Sequence, residues 1–189
     1  MPRFIRRPWR FTLRTLLVAV VVVAAALAWA RRQAQPYRGQ AAARRVIEED
    51  LWGLTLAVPA DVPFWVRPFL SERECQDVIK VDLGGTDVRD HELEVLTHFP
   101  RLEYLDLSST ACTAEGLDVL ERLPRLERLD LSVSDCGDGA LDWVRRCPSL
   151  RYIRVSASSV SQRAFAQLLE DEPQLQEVFV RGDPLEESP

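Results

Sequence analysis

Over residues 78–180 the chain restates one short pattern, and no other feature restricts its possible folds as tightly. The pattern is clearest from Leu102. Leu102, Leu105, Leu107, Thr110 and Cys112 are followed by Leu117, Leu120, Leu123 and Pro124. Twenty-four residues on come Leu126, Leu129, Leu131, Ser134, Cys136, Leu141, Val144, Cys147 and Pro148. Twenty-four residues back come Val78, Val81, Leu83, Thr86, Val88, Leu93, Leu96, Phe99 and Pro100. A fourth copy, one residue longer, passes through Leu150, Ile153, Val155, Ser158, Val160, Phe165 and Leu168 to Pro173. A stub with Leu175, Val178 and Val180 follows. A period of this length marks a supersecondary unit that is stacked on copies of itself.

The spacing inside one unit gives its structure. Leu105-Asp106-Leu107 alternates apolar and polar residues, the period of a strand with one buried face. Leu117, Leu120 and Leu123 recur every three residues and suit one stripe of a helix. Asp90, Thr113, Asp138 and Ser161 stand where a helix N-cap is wanted. The proline closing each unit stops the helix and turns the chain. Each unit therefore reads as strand, turn, helix and loop. A single unit cannot bury its own apolar stripe. Stacking does so, with parallel strands about 4.8 Å apart, and the expected class is an α/β solenoid.

The first 77 residues are organised differently. Residues 1–30 hold five arginines and no acid, so the net charge of −5 for the whole chain becomes −10 over residues 31–189. An acidic body argues against nucleic acid as a partner, because phosphate binding needs a basic face. Residues 15–30 carry no charge. Leu13, Thr12 and Phe11 extend that stretch if Arg14 snorkels to the headgroups, which brings it to the length of a membrane span. The competing reading is a cleaved signal peptide, with Ala28-Trp29-Ala30 as the cleavage site. The membrane anchor is preferred, because the apolar stretch is long for a signal and Arg31-Arg32 is a poor start for a mature chain. Arg6-Arg7 is set aside as a twin-arginine signal, since Pro8, Trp9 and Arg10 do not fit one. Five arginines on each side nearly balance the positive-inside rule. The denser N-terminal cluster favours a cytoplasmic N-terminus, with the repeats outside the membrane.

Residues 31–77 read as linker and cap. Ala42, Val46, Ile47 and Leu51 suggest a short amphipathic helix, and residues 54–58 a strand. Phe64, Trp65, Val66, Phe69 and Leu70 form a dense cluster, expected to cover the open end of the first repeat. Ser71 with Glu74 reads as a capping box for a last short helix. The expected divisions are a basic tail at 1–14, an anchor at 15–30, linker and cap at 31–77, four repeats and a stub at 78–183, and an acidic tail at 184–189.

The repeats, written L-x-x-L-x-L-x-x-[TS]-x-[VC], resemble the leucine-rich repeat. With the N-terminal apolar segment, the chain is similar to short bacterial membrane-anchored leucine-rich-repeat proteins. The resemblance implies a protein-binding scaffold that uses the concave face of its sheet, and names no ligand. Many such repeats place Asn where this chain has Thr86, Thr110, Ser134 and Ser158. Their hydroxyls can still bond a backbone group in the turn.

Residue types that carry chemistry are sparse. Cys112 and Cys136 stack in adjacent units, so a disulfide is possible in an oxidising compartment. Val88 and Val160 hold the same place in the flanking units, however, which favours the cysteines as small core residues. There is no Cys-x-x-Cys, and no metal or cofactor is expected. His91 and His98 fall on one helical segment and read as a solvated face. No phosphate loop or nucleophile motif appears, so no enzyme is expected, and a carboxylate-dependent hydrolase is held last.

The residues between the strand leucines point onto the concave sheet. Asp82, Asp106, Asp130 and Arg154 form one row, ending in Phe179. Lys80, Tyr104, Arg128, Tyr152 and Glu177 form another. Aspartates about 5 Å apart repel by roughly 0.8 kcal/mol per pair in water. Lys80, Arg128 and Arg154 are expected to offset this diagonally. One reading is a self-neutralised solvated sheet. The other is a ligand face of Tyr104, Asp106, Arg128, Asp130, Tyr152 and Arg154, taking a protein or peptide with a basic residue. A calcium site on the aspartate row is set aside, since a flat row wraps a cation poorly. The runner-up function is a structural envelope component that self-associates through its C-terminal edge strand.

Overall fold

The computed structural model describes residues 13–134, 136–156, 160–171, 175 and 177–181. The arginines before Leu13, Ser158, Pro173 and the acidic tail lie outside the described residues, as do the side chains of Phe165 and of residues 177–181. The architecture is mixed α/β: a long apolar N-terminal helix and one six-stranded sheet in sequential order. The strands are β1 (Leu54–Pro59), β2 (Gln76–Asp82), β3 (Tyr104–Asp106), β4 (Arg128–Leu131), β5 (Tyr152–Ser156) and β6 (Glu177–Arg181). The first pair is antiparallel and the rest are parallel.

The register of the parallel strands follows the sequence period. Val81, Leu105, Leu129 and Ile153 are paired in line, so every unit presents its central apolar residue to one core. Leu83, Leu105, Leu107, Leu117, Leu120 and Leu150 are fully buried there. After β2, β3 and β4 the chain turns through a left-handed residue at one equivalent position: Gly85 (φ 72°), Ser109 (φ 55°) and Val133 (φ 60°). Thr86, Thr110 and Ser134 follow, each donating its hydroxyl to the carbonyl three residues back at 2.7 Å. Those bonds tie the turn to the strand, as the hydroxyls at these positions suggested.

The segments that follow the strands depart from the expected helices in the first two units, where Asp90–His98 and Gly116–Arg122 are 3-10 helices. Leu93-Leu96-Phe99 and Leu117-Leu120-Leu123 are spaced by three residues, which suits that geometry, although Leu141-Val144-Cys147 has the same spacing in a unit that forms an α-helix. A 3-10 helix has three residues per turn, so such a stripe stays on one face. The third unit forms a short α-helix, α2 (Gly139–Val144), which buries Ala140, Leu141, Trp143 and Val144. The longer fourth unit forms α3 (Gln162–Asp171).

The expected N-caps are corrected. Asp90 accepts from the Thr113 amide and hydroxyl, both at 2.7 Å. Asp138 accepts from the Ser161 amide at 2.7 Å and hydroxyl at 2.8 Å. These aspartates clasp the next unit instead of capping their own. Thr113 and Ser161 do cap locally, accepting from the amides of Glu115 and Ala164 at 3.3 Å. Gly116 is required under the first clasp, because a Cβ there would stand 2.7 Å from the Asp90 carboxyl carbon.

The N-terminal region also differs from expectation. Helix α1 (Leu13–Arg45) runs unbroken from the apolar segment through what reads in sequence as linker. It ends in a π-helical turn, Val46–Asp50. Its core-facing residues are Ala43, Ile47 and Leu51, whereas Ala42 and Val46 are exposed. These three, with β1 and its Ala57, cover the first repeat. The aromatic segment does not. Val66, with Ala60 and Val62, packs on Ala34 of α1 in a separate small cluster, which Tyr37, Trp65 and Leu70 flank. A strand satisfies the backbone edge of β2, which an aromatic loop cannot do. Ser71 donates its amide and hydroxyl to Glu74 at 2.6 and 2.7 Å before the 3-10 turn Arg73–Cys75.

Candidate binding face

Parallel strands in register put equivalent outward residues side by side. One row reads Leu56, Lys80, Tyr104, Arg128 and Tyr152, and the next Leu54, Asp82, Asp106, Asp130 and Arg154. Between the middle strands lies a depression of about 330 Å³ lined by Tyr104, Arg128, Asp130, Tyr152 and Arg154, with Leu129 and Ile153 beneath. Five of the six residues singled out in the sequence thus line one hollow. Asp106 stands beside it, 3.4 Å from the Tyr104 hydroxyl.

The electrostatics of this face are not a diagonal lattice of charges. Lys80 Nζ sits 4.3 Å from the Tyr104 ring centroid, and Arg128 Cζ 4.6 Å from that of Tyr152. Two of the three cations therefore lie over aromatic faces, where the ring quadrupole attracts them. Only Arg154 pairs with an aspartate, its direct cross-strand neighbour Asp130, at 2.8 Å. The aspartates are held mainly by backbone. The amides of Ser108 and Ser132 donate to Asp106 and Asp130 at 2.9 Å, and that of Gly84 to Asp82 at 3.2 Å. Local bonding two residues on is a habit of short polar side chains. It absorbs the repulsion that a bare row of carboxylates would carry.

This distribution sorts the aspartates. Asp130 is buried and already matched by Arg154 and the Ser132 amide. Among the described residues, no ion pair reaches Asp82 or Asp106. Tyr104 is half-buried, and burial first, then Asp106, Asp130 and Asp82, raise the pKa of its phenol. It therefore stays protonated as a donor at neutral pH.

Sequence reasoning missed the N-terminal end of the face. Leu54 and Leu56 are 73% and 54% exposed, and they share the outward side with Asp82 and Lys80. The inward residues of β1 are Thr55 and Ala57. Both leucines were legible as strand residues, but only the pairing of β1 with β2 shows that they face outward.

The other candidates resolve into structure. Cys112 and Cys136 are buried, and each thiol donates to the carbonyl of the equivalent residue one unit earlier, Val88 and Cys112, at 3.5 and 3.4 Å. Burial pushes Cys112 up to about 11 and Cys147 up to about 12, so neither thiol is a thiolate at neutral pH. His91 and His98 are exposed. Trp65 stacks on Trp29, with ring centroids 4.6 Å apart.

No protein-family model matches the chain, and no curated protein does. Among solved structures, it is similar to an internalin (inlF) from Listeria monocytogenes, at 13% identity and a TM-score of 0.29. The match covers 57% of this chain and 43% of that one. A likeness at that score carries no weight here, and the functional reading rests on the residues alone.

Proposed function

We propose that this chain is a membrane-anchored protein-interaction module, a leucine-rich-repeat solenoid that takes an extended peptide or loop across the outward face of its sheet. The observation that carries this reading is the in-register row Tyr104, Arg128 and Tyr152 over one depression. Aromatic and arginine anchors dominate protein interfaces. The open carboxylates of Asp82 and Asp106 select a basic residue on the ligand and speed its approach at low salt. Leu54 and Leu56 extend the face with apolar surface.

Helix α1 supports the anchor. It is long and apolar enough to span a membrane. The residues of the cleavage motif lie within an unbroken helix, with Ala30 only 7% exposed and Trp29 stacked on Trp65. A peptidase needs that segment accessible and extended, so the packing favours retention. The denser arginine cluster before the helix supports a cytoplasmic N-terminus, with the repeats on the extracytoplasmic side.

The test uses full-length protein in nanodiscs as bait for a displayed peptide library. Selected peptides should carry a lysine or arginine next to an apolar or aromatic residue. Tyr104→Ala with Tyr152→Ala should reduce their capture at least tenfold. Asp82→Asn with Asp106→Asn should weaken it less and flatten its salt dependence. Capture that survives the tyrosine pair but fails in Glu121→Ala with Arg122→Ala would move the binding surface to the convex side.

A second reading has one observation in its favour. Among the described residues, β6 pairs only with β5. An open edge of this kind accepts another strand. Self-association through β6 should then appear as a concentration-dependent dimer in sedimentation.

A further inference from the structure

The loop of residues 63–69 has no role in covering the repeats, yet it carries three aromatic residues, Phe64, Trp65 and Phe69. Trp65 lies flat on Trp29, with ring centroids 4.6 Å apart and planes 17° from parallel. Trp29 is the penultimate residue of the uncharged stretch of α1, and Arg31 and Arg32 follow it, both exposed. Phe64, next to Trp65, is 85% exposed and makes no contribution to either apolar cluster. Arg67, three residues on, is exposed as well.

We propose that this loop is a second membrane contact, seated in the interfacial layer of the bilayer that α1 crosses. The proposal rests on the anchor reading above. If the uncharged stretch spans the bilayer, Trp29 is at its boundary, where tryptophan and tyrosine concentrate because an amphipathic ring suits headgroup depth. The stack then fixes Trp65 at the same depth. Phe64, one residue away, has its ring in the layer where acyl chains meet headgroups. Arg31 and Arg32, just after Trp29 in the chain, and Arg67, just after Trp65, are exposed cations that complement anionic headgroups. Asp61 is the one exposed acid between Leu54 and Leu70.

The occupant is lipid rather than a protein partner because the patch is continuous with the apolar surface of α1. Val66 supports the loop from beneath, 1% exposed, against Ala34 of the same helix. A second attachment a few residues from the first removes the freedom to swivel about α1. The loop thereby orients the outward face of the sheet relative to the membrane, which a single helix cannot do.

The test places an environment-sensitive fluorophore at single positions of the full chain in vesicles of phosphatidylcholine with phosphatidylglycerol. Phe64→Cys is labelled in a Cys75→Ser background, since the other three cysteines are buried. Val22→Cys reports on the anchor, and Val133→Cys, 61% exposed on a distant turn, reports on water. The probe at 64 should shift to the blue and be quenched by lipids spin-labelled near the headgroup. The probe at 133 should do neither. If the probe at 22 is quenched by chain-labelled lipid while that at 64 behaves like that at 133, the loop contact is wrong and the anchor stands. If the probe at 22 is also unquenched, the anchor reading fails, and the loop contact with it.

Discussion

Two apolar clusters hold this protein together, and they are built on different terms. The large one starts at Ala43 and Ile47, which cover the first repeat, and runs through every repeat to Leu168, drawing one set of equivalent positions from each unit. The small one joins Ala34 of α1 to Ala60, Val62 and Val66 in the segment between β1 and β2. The first is periodic, so each layer is packed by the layers on both sides. The second is a single contact between two segments that share no pattern. Stability in the stack is thus a sum over neighbouring interfaces, whereas the small cluster stands or falls alone.

The largest expected effect tests this contrast. Leu107 is fully buried between units. Leu107→Ala should cost about 2–5 kcal/mol, and a short array should lose most of its structure in a thermal melt. Val66→Ala in the small cluster should cost only about 1–2 kcal/mol. Hydrogen exchange should rise in residues 31–45 and 60–70 while the strands stay protected. Equal loss of strand protection in both variants would mean one cooperative core instead of two.

The inter-unit clasps sharpen the same contrast within the stack. Asp90→Ala removes two bonds to Thr113 and should cost about 1–2 kcal/mol. Gly116→Ala should be damaging in the natural chain and much less so with Asp90→Ala, because the Asp90 carboxylate fills the space a Cβ needs. A double-mutant cycle by denaturant unfolding would show that coupling. The second clasp adds a pH signature. The Ser161 amide first, and its hydroxyl next, hold Asp138 below its ordinary 3.8. A depressed folded-state value contributes stability above the unfolded one and loses it as pH falls through the folded one. The unit carrying α3 should therefore loosen below about pH 4, and Asp138→Asn should remove that dependence.

The smallest effect concerns the left-handed turns. Val133 is a β-branched residue at φ 60°, whereas its equivalent Gly85 adopts φ 72° without penalty. A left-handed backbone costs most residues roughly 1–2 kcal/mol. Val133→Gly recovers part of that and gives some back as chain entropy. A gain of up to about 1 kcal/mol is expected in a denaturant titration.

The sequence by itself determined the stack. Its 24-residue period fixed the strand register, the buried set and the outward rows, because a side chain's facing in a strand is a local, two-residue matter. It also put the six candidate residues on two neighbouring outward rows, while the hollow that five of them line is visible only in the folded chain. The tertiary structure decided what depends on partners outside the repeating unit. Lys80 and Arg128 cover tyrosine rings, and Asp90 and Asp138 reach into the next unit, because several acceptors were in range and packing chose among them. Leu54 and Leu56 face outward only because β1 pairs antiparallel with β2. Trp65 meets Trp29, 36 residues away in the chain, because α1 continues through a segment whose local composition reads as linker. No period connects such positions, so only the folded chain brings them together.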